Sequence, residues 1–224
     1  MNRFDLHLHS KYSPDALPKP ESIFRQAKSI GLKGFAITDH NSTKAFAEFK
    51  KLQKQDKNLL VIFGEEVKIL ENEKTVGELL CYFLQEGIKP ASFAEIIDSV
   101  RTQAALVSIA HPFDLARHGF EKELEKELKK VDAIEVFNAR AHSKEANKKA
   151  LRLAERKNFP FTAGSDSHSL EELGIAGIEY SAESIEELRK AILKRKCKAF
   201  GEKTTPALRQ WEISVLARVG GKEE

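Results

Sequence analysis

An α/β barrel built as a single domain is the fold class that this sequence predicts, and three observations carry the prediction. Short apolar runs alternate with segments of helical periodicity along the chain. At 224 residues it has a length at which a barrel commonly forms one domain. Its residues, 41% hydrophobic and 32% charged, supply a sizeable core and a polar surface, with no linker, repeat or low-complexity tract to divide residues 1–224.

A strand over residues 3–9 opens the chain. Phe4, Leu6 and Leu8 alternate with Asp5, His7 and His9, so the two histidines share a face. Further strands are expected over 33–38, 59–67, 105–110, 133–138, 161–165 and 176–180. Between them, helices are expected over 21–30, 43–55, 93–102, 120–130, 144–157 and 185–194. Ser-x-x-Glu capping boxes start two of these, at Ser92/Glu95 and Ser184/Glu187. Phe120, Leu124, Leu128 and Val131 recur at helical spacing, which makes the charged FEKELEKELKK run a solvated helix face. After the third strand, residues 67–70 and 76–84, joined by ENEK, predict a small inserted β-hairpin. The last segment sets Leu208, Trp211, Val215 and Val219 on one stripe. A C-terminal helix over 207–219 is therefore expected to pack on the barrel exterior, with Trp211 in the core.

Bulk properties exclude several function classes. A net charge of +3, with Lys and Glu interspersed and no basic stripe among aromatics, argues against a long nucleic-acid track. Cys81 and Cys197 are far apart and outside any C-x-x-C motif, so neither a disulfide framework nor a zinc ribbon follows. No apolar run approaches the roughly 20 residues needed to span a bilayer, and no targeting signal precedes the first strand. A soluble, cytoplasmic protein is expected.

The ionisable residues fall at strand ends. His7 and His9 end the first strand, Thr38-Asp39-His40 the second, and Glu65-Glu66 lies in the third. His111 follows the fourth strand, halted by Pro112; Asn138 ends the fifth; Asp166 and His168 end the sixth. In a parallel barrel those ends converge on one face. Imidazoles and carboxylates without thiolates suit Zn, Mn or Fe. There are too many such groups for one ion, so two or three divalent ions are expected, with a carboxylate bridging a pair. Such ions generate hydroxide at neutral pH and clamp a phosphoryl group during in-line displacement.

The sequence resembles the PHP (polymerase and histidinol phosphatase) superfamily of metal-dependent phosphoesterases. The motifs FDLHLHS, FAITDHNS, VIFGEEV, SIAHPFD, IEVFNAR and FTAGSDSHS stand in the family's order, and the likeness ends near Gly201. The resemblance implies a distorted (β/α)7 barrel and a trinuclear metal centre. It places His7, His9 and Asp166 on one ion, and Glu66 as the bridge to a second ion held by His111. It places Asp15, His40 and His168 on a third. The Gly-x-Glu motif selects Glu66, with Glu65 the rival if the strand is bulged. Asn138 is favoured by motif position to complete the second ion's ligands, with His142 the alternative. Asp39 is read as an orienting partner of an imidazole or as a helix cap.

Arg117 and His118, in a loop after HPFDLA, and Arg140 are candidates to bind a substrate phosphate, as is Lys11; the plain alternative is solvated loop residues. The function expected is a phosphoesterase hydrolysing small phosphomonoesters of nucleotide, sugar or histidinol phosphate type. Metal-activated hydroxide attacks, and Asp166, Glu66 and His9 stand at the catalytic centre. The alternatives are a non-catalytic, metal-stabilised module that docks a partner protein, and an exonuclease or phosphodiesterase acting on nucleic-acid ends. An amidohydrolase is disfavoured, because no strand-end lysine is placed to carry a bridging carbamate.

Overall fold

Alternation of apolar strands with amphipathic helices closes this chain into a nearly complete barrel. The structure, a computed structural model, describes residues 1–117, 124, 126–202 and 204–220. The chain runs through β1 (Asn2–Leu8), α1 (Pro20–Ser29), β2 (Gly34–Ile37), α2 (Phe46–Gln55), β3 (Leu60–Glu71), β4 (Lys74–Tyr82), α3 (Phe93–Thr102), β5 (Leu106–Ile109) and β6 (Ala133–Asn138). It continues through α4 (Lys144–Lys157), β7 (Phe161–Gly164), β8 (Ala176–Tyr180), α5 (Ile185–Leu193), β9 (Lys198–Gly201) and α6 (Ala207–Gly220).

The strand order is β7-β6-β5-β4-β3-β2-β1-β8-β9. The segment after β7 returns to β1, where Asp166 N–H donates to His7 O (2.6 Å) and His9 N–H donates to Ser167 O (2.9 Å). Strands β1, β2 and β3 pair in parallel, as do β5, β6 and β7. The expected hairpin differs from the observed one. Its first arm is the continuation of β3, and β4 is no appendage but a stave running antiparallel between β3 and β5. The side chains of β4 explain this: Leu80 and Tyr82 join the apolar barrel interior, while Leu79 and Cys81 join the layer under the helices. A strand apolar on both faces belongs inside a sheet. The strand expected over 176–180 is present as β8 but pairs antiparallel with β1, and β9 adds an edge beyond it.

Two apolar layers result. Inside lie Phe4, Leu6, Ile62 and Leu80, against Leu188 and Ile192 of α5. Outside, Phe35, Ile37 and Val61 pack on Ile23 of α1 and Phe49 of α2. Of the two expected capping boxes, Ser92/Glu95 forms in full. At Ser184 the hydroxyl accepts the Glu187 N–H, while the Glu187 carboxylate accepts the N–H of Glu183.

The C-terminal helix corrects another expectation. It is anchored by Ile213, which is buried, and by Gln210, whose amide donates to the carbonyls of Arg140 and Thr205. The apolar stripe faces away from the barrel, leaving Trp211 64% and Leu208 68% exposed. Polar anchoring, not the apolar stripe, sets the rotation of this helix. Of the helix expected over 120–130, residues 120–123 and 125 lie outside the described residues; Leu124 and Leu128 are buried. Among the described residues, no helix is long and apolar enough to cross a membrane.

Candidate metal centre

Two β-bulges aim the side chains of this site. In β1 the pairing with β2 slips one residue between Asp5 and Leu8. Phe4 and Leu6 therefore point into the barrel, and Leu8 points out among the helices. The extra residue breaks the simple alternation of the sequence and leaves His7 and His9 at the rim of the interior. In β6 a second slip, between Glu135 and Phe137, turns Glu135 and Asn138 toward each other despite their unequal parity. In β3 the irregularity lies at Ile69/Leu70, beyond the two glutamates, so Glu66 keeps the inward face. Glu65 points outward, where its carboxylate accepts the N–H of Ile88.

Glu66 is the hub. Its Oε2 lies 3.4 Å from Nε2 of His7, 3.4 Å from Nε2 of His9 and 2.9 Å from Nδ1 of His40. Its Oε1 lies 3.1 Å from Nε2 of His111. Asp166 Oδ1 stands 3.5 Å from His7 Nε2 and 3.2 Å from His9 Nε2. On the outer side, Asp15 Oδ1 lies 3.4 Å from His40 Nε2 and 3.5 Å from His168 Nε2. Both Asp166 and His111 have positive φ, 57° and 27°, conformations that a non-glycine residue holds only where its surroundings compel it. Gly164 allows the close approach of β7 to β1: a Cβ there would lie 2.4 Å from that of His7.

On three of the rings a far-side partner fixes the tautomer. His7 Nδ1 is 2.8 Å from Glu135 Oε1, so the proton sits on Nδ1 and the Nε2 lone pair faces Glu66 and Asp166. His9 is held by a relay. Ser13 Oγ donates to Asp39, which leaves that oxygen to accept from His9 Nδ1 (3.0 Å) and from the His40 N–H. Asp39 also accepts both donors of Ser10, so it orients the ligand loop and caps no helix. His168 Nδ1 donates to the Asp166 carbonyl at 2.8 Å.

Nine buried side-chain atoms among the described residues have no hydrogen-bond partner, and seven belong to this cluster: His7 Nε2, His9 Nε2, Asp15 Oδ1, His40 Nδ1, Glu66 Oε2, His111 Nδ1 and Asp166 Oδ1. Buried acceptors left unpaired are costly. Lone pairs aimed at lone pairs are what a divalent cation satisfies, and the nitrogen-and-carboxylate donor set fits one. The electrostatics agree. Burial pushes the Glu66 carboxyl up, but the imidazoles of His7 and His40 outweigh it and hold the group well below the usual range. Burial likewise opposes charge on Asp166, and Arg117 and His7 override it. Burial lowers His7, yet Asp166, Glu66 and Glu135 raise it well above the ordinary histidine value. The cavity thus favours positive charge.

Of the residues expected to touch a phosphate, Arg117 donates to Asp166 Oδ2, with Nη2 4.0 Å from Glu66 Oε1. Arg140 is 5% exposed and bonds Glu172, whose carboxylate accepts the N–H groups of His168 and Ser169. Lys11 lies over the ring of Tyr12, and His118 lies outside the described residues. Asn138 turns its donor end inward, giving NH2 to Glu135 and Asp166, while its oxygen accepts the Arg140 N–H. His142 is held by Asp114 at 3.2 Å. The residues the sequence reading did not single out, Asp5, Glu78, Glu135 and Glu172, are all buried carboxylates. Asp5 accepts from Ser165, Gly174 and His7, tying β1 to the loop that carries Asp166. Asp5, Glu78 and Glu135 are acids within apolar β-strands, the signal that could have found them; Glu172 lies in a turn and carries no such signal. A pocket of 330 Å³ opens beside the cluster, lined by Asp15, Arg117, Arg140, His168, Trp211 and Arg218 among others.

Known proteins resemble this chain in sequence and shape. A family profile described as PHP-associated matches residues 144–197. Uncharacterized protein MJ0417 of Methanocaldococcus jannaschii is 38% identical over 191 residues, 82% of this chain and 73% of that protein. A PolC-type DNA polymerase III of Mycoplasmopsis pulmonis is 35% identical over 75 residues, 33% of this chain and 5% of the polymerase. A Bifidobacterium adolescentis protein assigned as a metal-dependent phosphoesterase shares the fold, with a TM-score of 0.65 at 17% identity over 87% of this chain and 96% of that one. The histidinol phosphate phosphatase of Lactococcus lactis, in complex with zinc, L-histidinol and phosphate, superposes at a TM-score of 0.50 and 15% identity, over 91% of this chain and 95% of that one. With the motif order, the barrel and these relatives together, the chain belongs to the PHP superfamily.

Proposed function

We propose that this protein is a metal-dependent phosphoesterase acting on small phosphomonoesters. The observation that carries the reading is the set of seven buried, unpartnered donor atoms on one barrel face beside an open pocket. His7, His9, Asp166 and Glu66 would hold one ion, and Asp15, His40 and His168 another, with Glu66 and His111 facing a further position. When bound, such ions supply Lewis acidity toward phosphoryl oxygens and an activated water.

The chain's own residues do the rest. Glu135, Ser13 and the Asp166 carbonyl hold three imidazoles in the tautomer that offers Nε2 inward. Arg117 stands at the pocket wall with a guanidinium able to fork onto a phosphate. The Arg140–Glu172 pair fixes the loop of His168 rather than meeting substrate. A pocket of 330 Å³ suits a small ester better than a nucleic-acid strand.

The test is phosphate release by chelator-stripped protein reloaded with Mn²⁺ or Zn²⁺, over a panel of small phosphomonoesters and short oligonucleotides. Turnover of a monoester class, absent in Asp166→Ala, is expected. Turnover confined to oligonucleotides, or undiminished in Asp166→Ala, overturns the reading.

A further inference from the structure

Beside His111 the donor set departs from the one its sequence implies. Asn138, favoured to complete that position, offers no lone pair: its oxygen is taken by the Arg140 N–H and its NH2 is spent on Glu135 and Asp166. Another side chain stands in the gap. Glu78, 8% exposed, places Oε2 3.3 Å from His111 Nε2, and Glu66 Oε1 reaches the same nitrogen at 3.1 Å. One ligand atom each of His40, Glu66 and Glu78 lie within 4.8 Å of one another. Among the described residues, His111 is the only ion-pair partner of Glu78.

The fold explains the juxtaposition. Because β4 is antiparallel, its first half, not its end, reaches the ligand face, and the Glu78 carbonyl accepts the N–H of Ala110, next to His111. Even-numbered residues of β4 point inward, as Leu80 and Tyr82 show, which puts Glu78 at the rim above them. A second observation points to a missing cation. Glu66 Oε2, on the carboxylate grouped with Glu78 and His40, is buried without a partner. Among the described residues, the Arg117 guanidinium supplies positive charge here, and it is shared among Asp166, Glu66 and Glu78.

Building on the metal-centre reading above, we infer that Glu78 replaces Asn138 as a ligand, so that His111, Glu66 and Glu78 form an oxygen-rich metal position preferring Mn²⁺ or Fe²⁺ to Zn²⁺. Of the other two positions, one combines His7 and His9 with Asp166 and the shared Glu66, the other His40 and His168 with Asp15, sets richer in imidazole that suit zinc. Here one imidazole meets two carboxylates, a harder set. The centre would then be mixed, with two zinc-type positions and one manganese-type position.

The experiment measures metal per chain by mass spectrometry, on full-length protein stripped with chelator and reloaded with Mn²⁺ alone or Zn²⁺ alone. Wild type, Glu78→Gln, Glu78→His and Asn138→Ala are compared, each checked for an intact fold by circular dichroism. Glu78→Gln is expected to lose one Mn²⁺ per chain and Asn138→Ala none, while Glu78→His shifts the competition between the two metals toward zinc. Electron paramagnetic resonance of the Mn²⁺-loaded protein should show an exchange-coupled pair that Glu78→Gln abolishes. Full Mn²⁺ content in Glu78→Gln, or loss of an ion in Asn138→Ala, overturns the assignment of Glu78 while leaving the metal centre standing. A wild type that binds no metal overturns both.

Discussion

His7 shows how much of this site depends on residues that never face the cavity. Its Nε2 points inward because Glu135 takes the opposite ring proton at 2.8 Å, and Glu135 in turn is held by the His111 N–H and the Asn138 amide. Carboxylate–imidazole pairs of this kind tune metal affinity by about 10–100-fold. Glu135→Gln should therefore weaken metal binding by that order, read by titration calorimetry with the stripped protein, while secondary structure is unchanged. Undiminished affinity would mean that ring orientation is set elsewhere. Asp166→Ala should remove turnover altogether, because Asp166 Oδ1 faces His7 and His9 together. Gly164 is the third sensitive position: an added Cβ would meet His7 Cβ at 2.4 Å and its nitrogen at 2.5 Å, both fixed by the strand. Gly164→Ala should cost about 1–3 kcal/mol in urea unfolding, as overpacking does, and should also lower metal content by displacing His7.

At the scale of elements, the two bulges and the antiparallel β4 decide which side chains meet. Uninterrupted alternation in β1 would put Leu6 and Leu8 on one face; the slip between Asp5 and Leu8 separates them. The C-terminal helix makes the same point from the other direction. Its apolar stripe reads as core in the sequence, but Ile213 is the residue buried, at 1% exposure, and Trp211 is not. Ile213→Ala should destabilise the protein by about 2–4 kcal/mol, the cost of emptying a packed site. Trp211→Ala should stay within about 0.5 kcal/mol, as exposed substitutions do. A reversed order in paired unfolding curves would mean that the helix packs by its other face.

For the molecule as a whole, the unpartnered donors tie stability to metal. Each ion bound only by the folded chain, at a hundredfold excess over its dissociation constant, adds about 2.7 kcal/mol, which for a chain of this size is roughly 5–10 °C of melting temperature. Chelation should lower the transition by at least that amount, and Mn²⁺ should restore it in scanning calorimetry. A transition indifferent to chelator would argue that the ions contribute nothing to the fold.

The sequence by itself determined the barrel, most of its strands and helices and the residues at the ends of its parallel strands. Each of those follows from local periodicity and from the handedness that brings strand ends to one face. His7, His9, His40, His111, Asp166 and His168 were legible for that reason. Only the tertiary structure decided the rest. Whether Asn138 or Glu78 faces His111 depends on a bulge in β6 and the direction of β4. Which face of the last helix is buried depends on Gln210 finding the carbonyls of Arg140 and Thr205. Bulges, strand direction and long-range polar anchors are set by partners distant in the chain, so a local pattern of residues carries no trace of them.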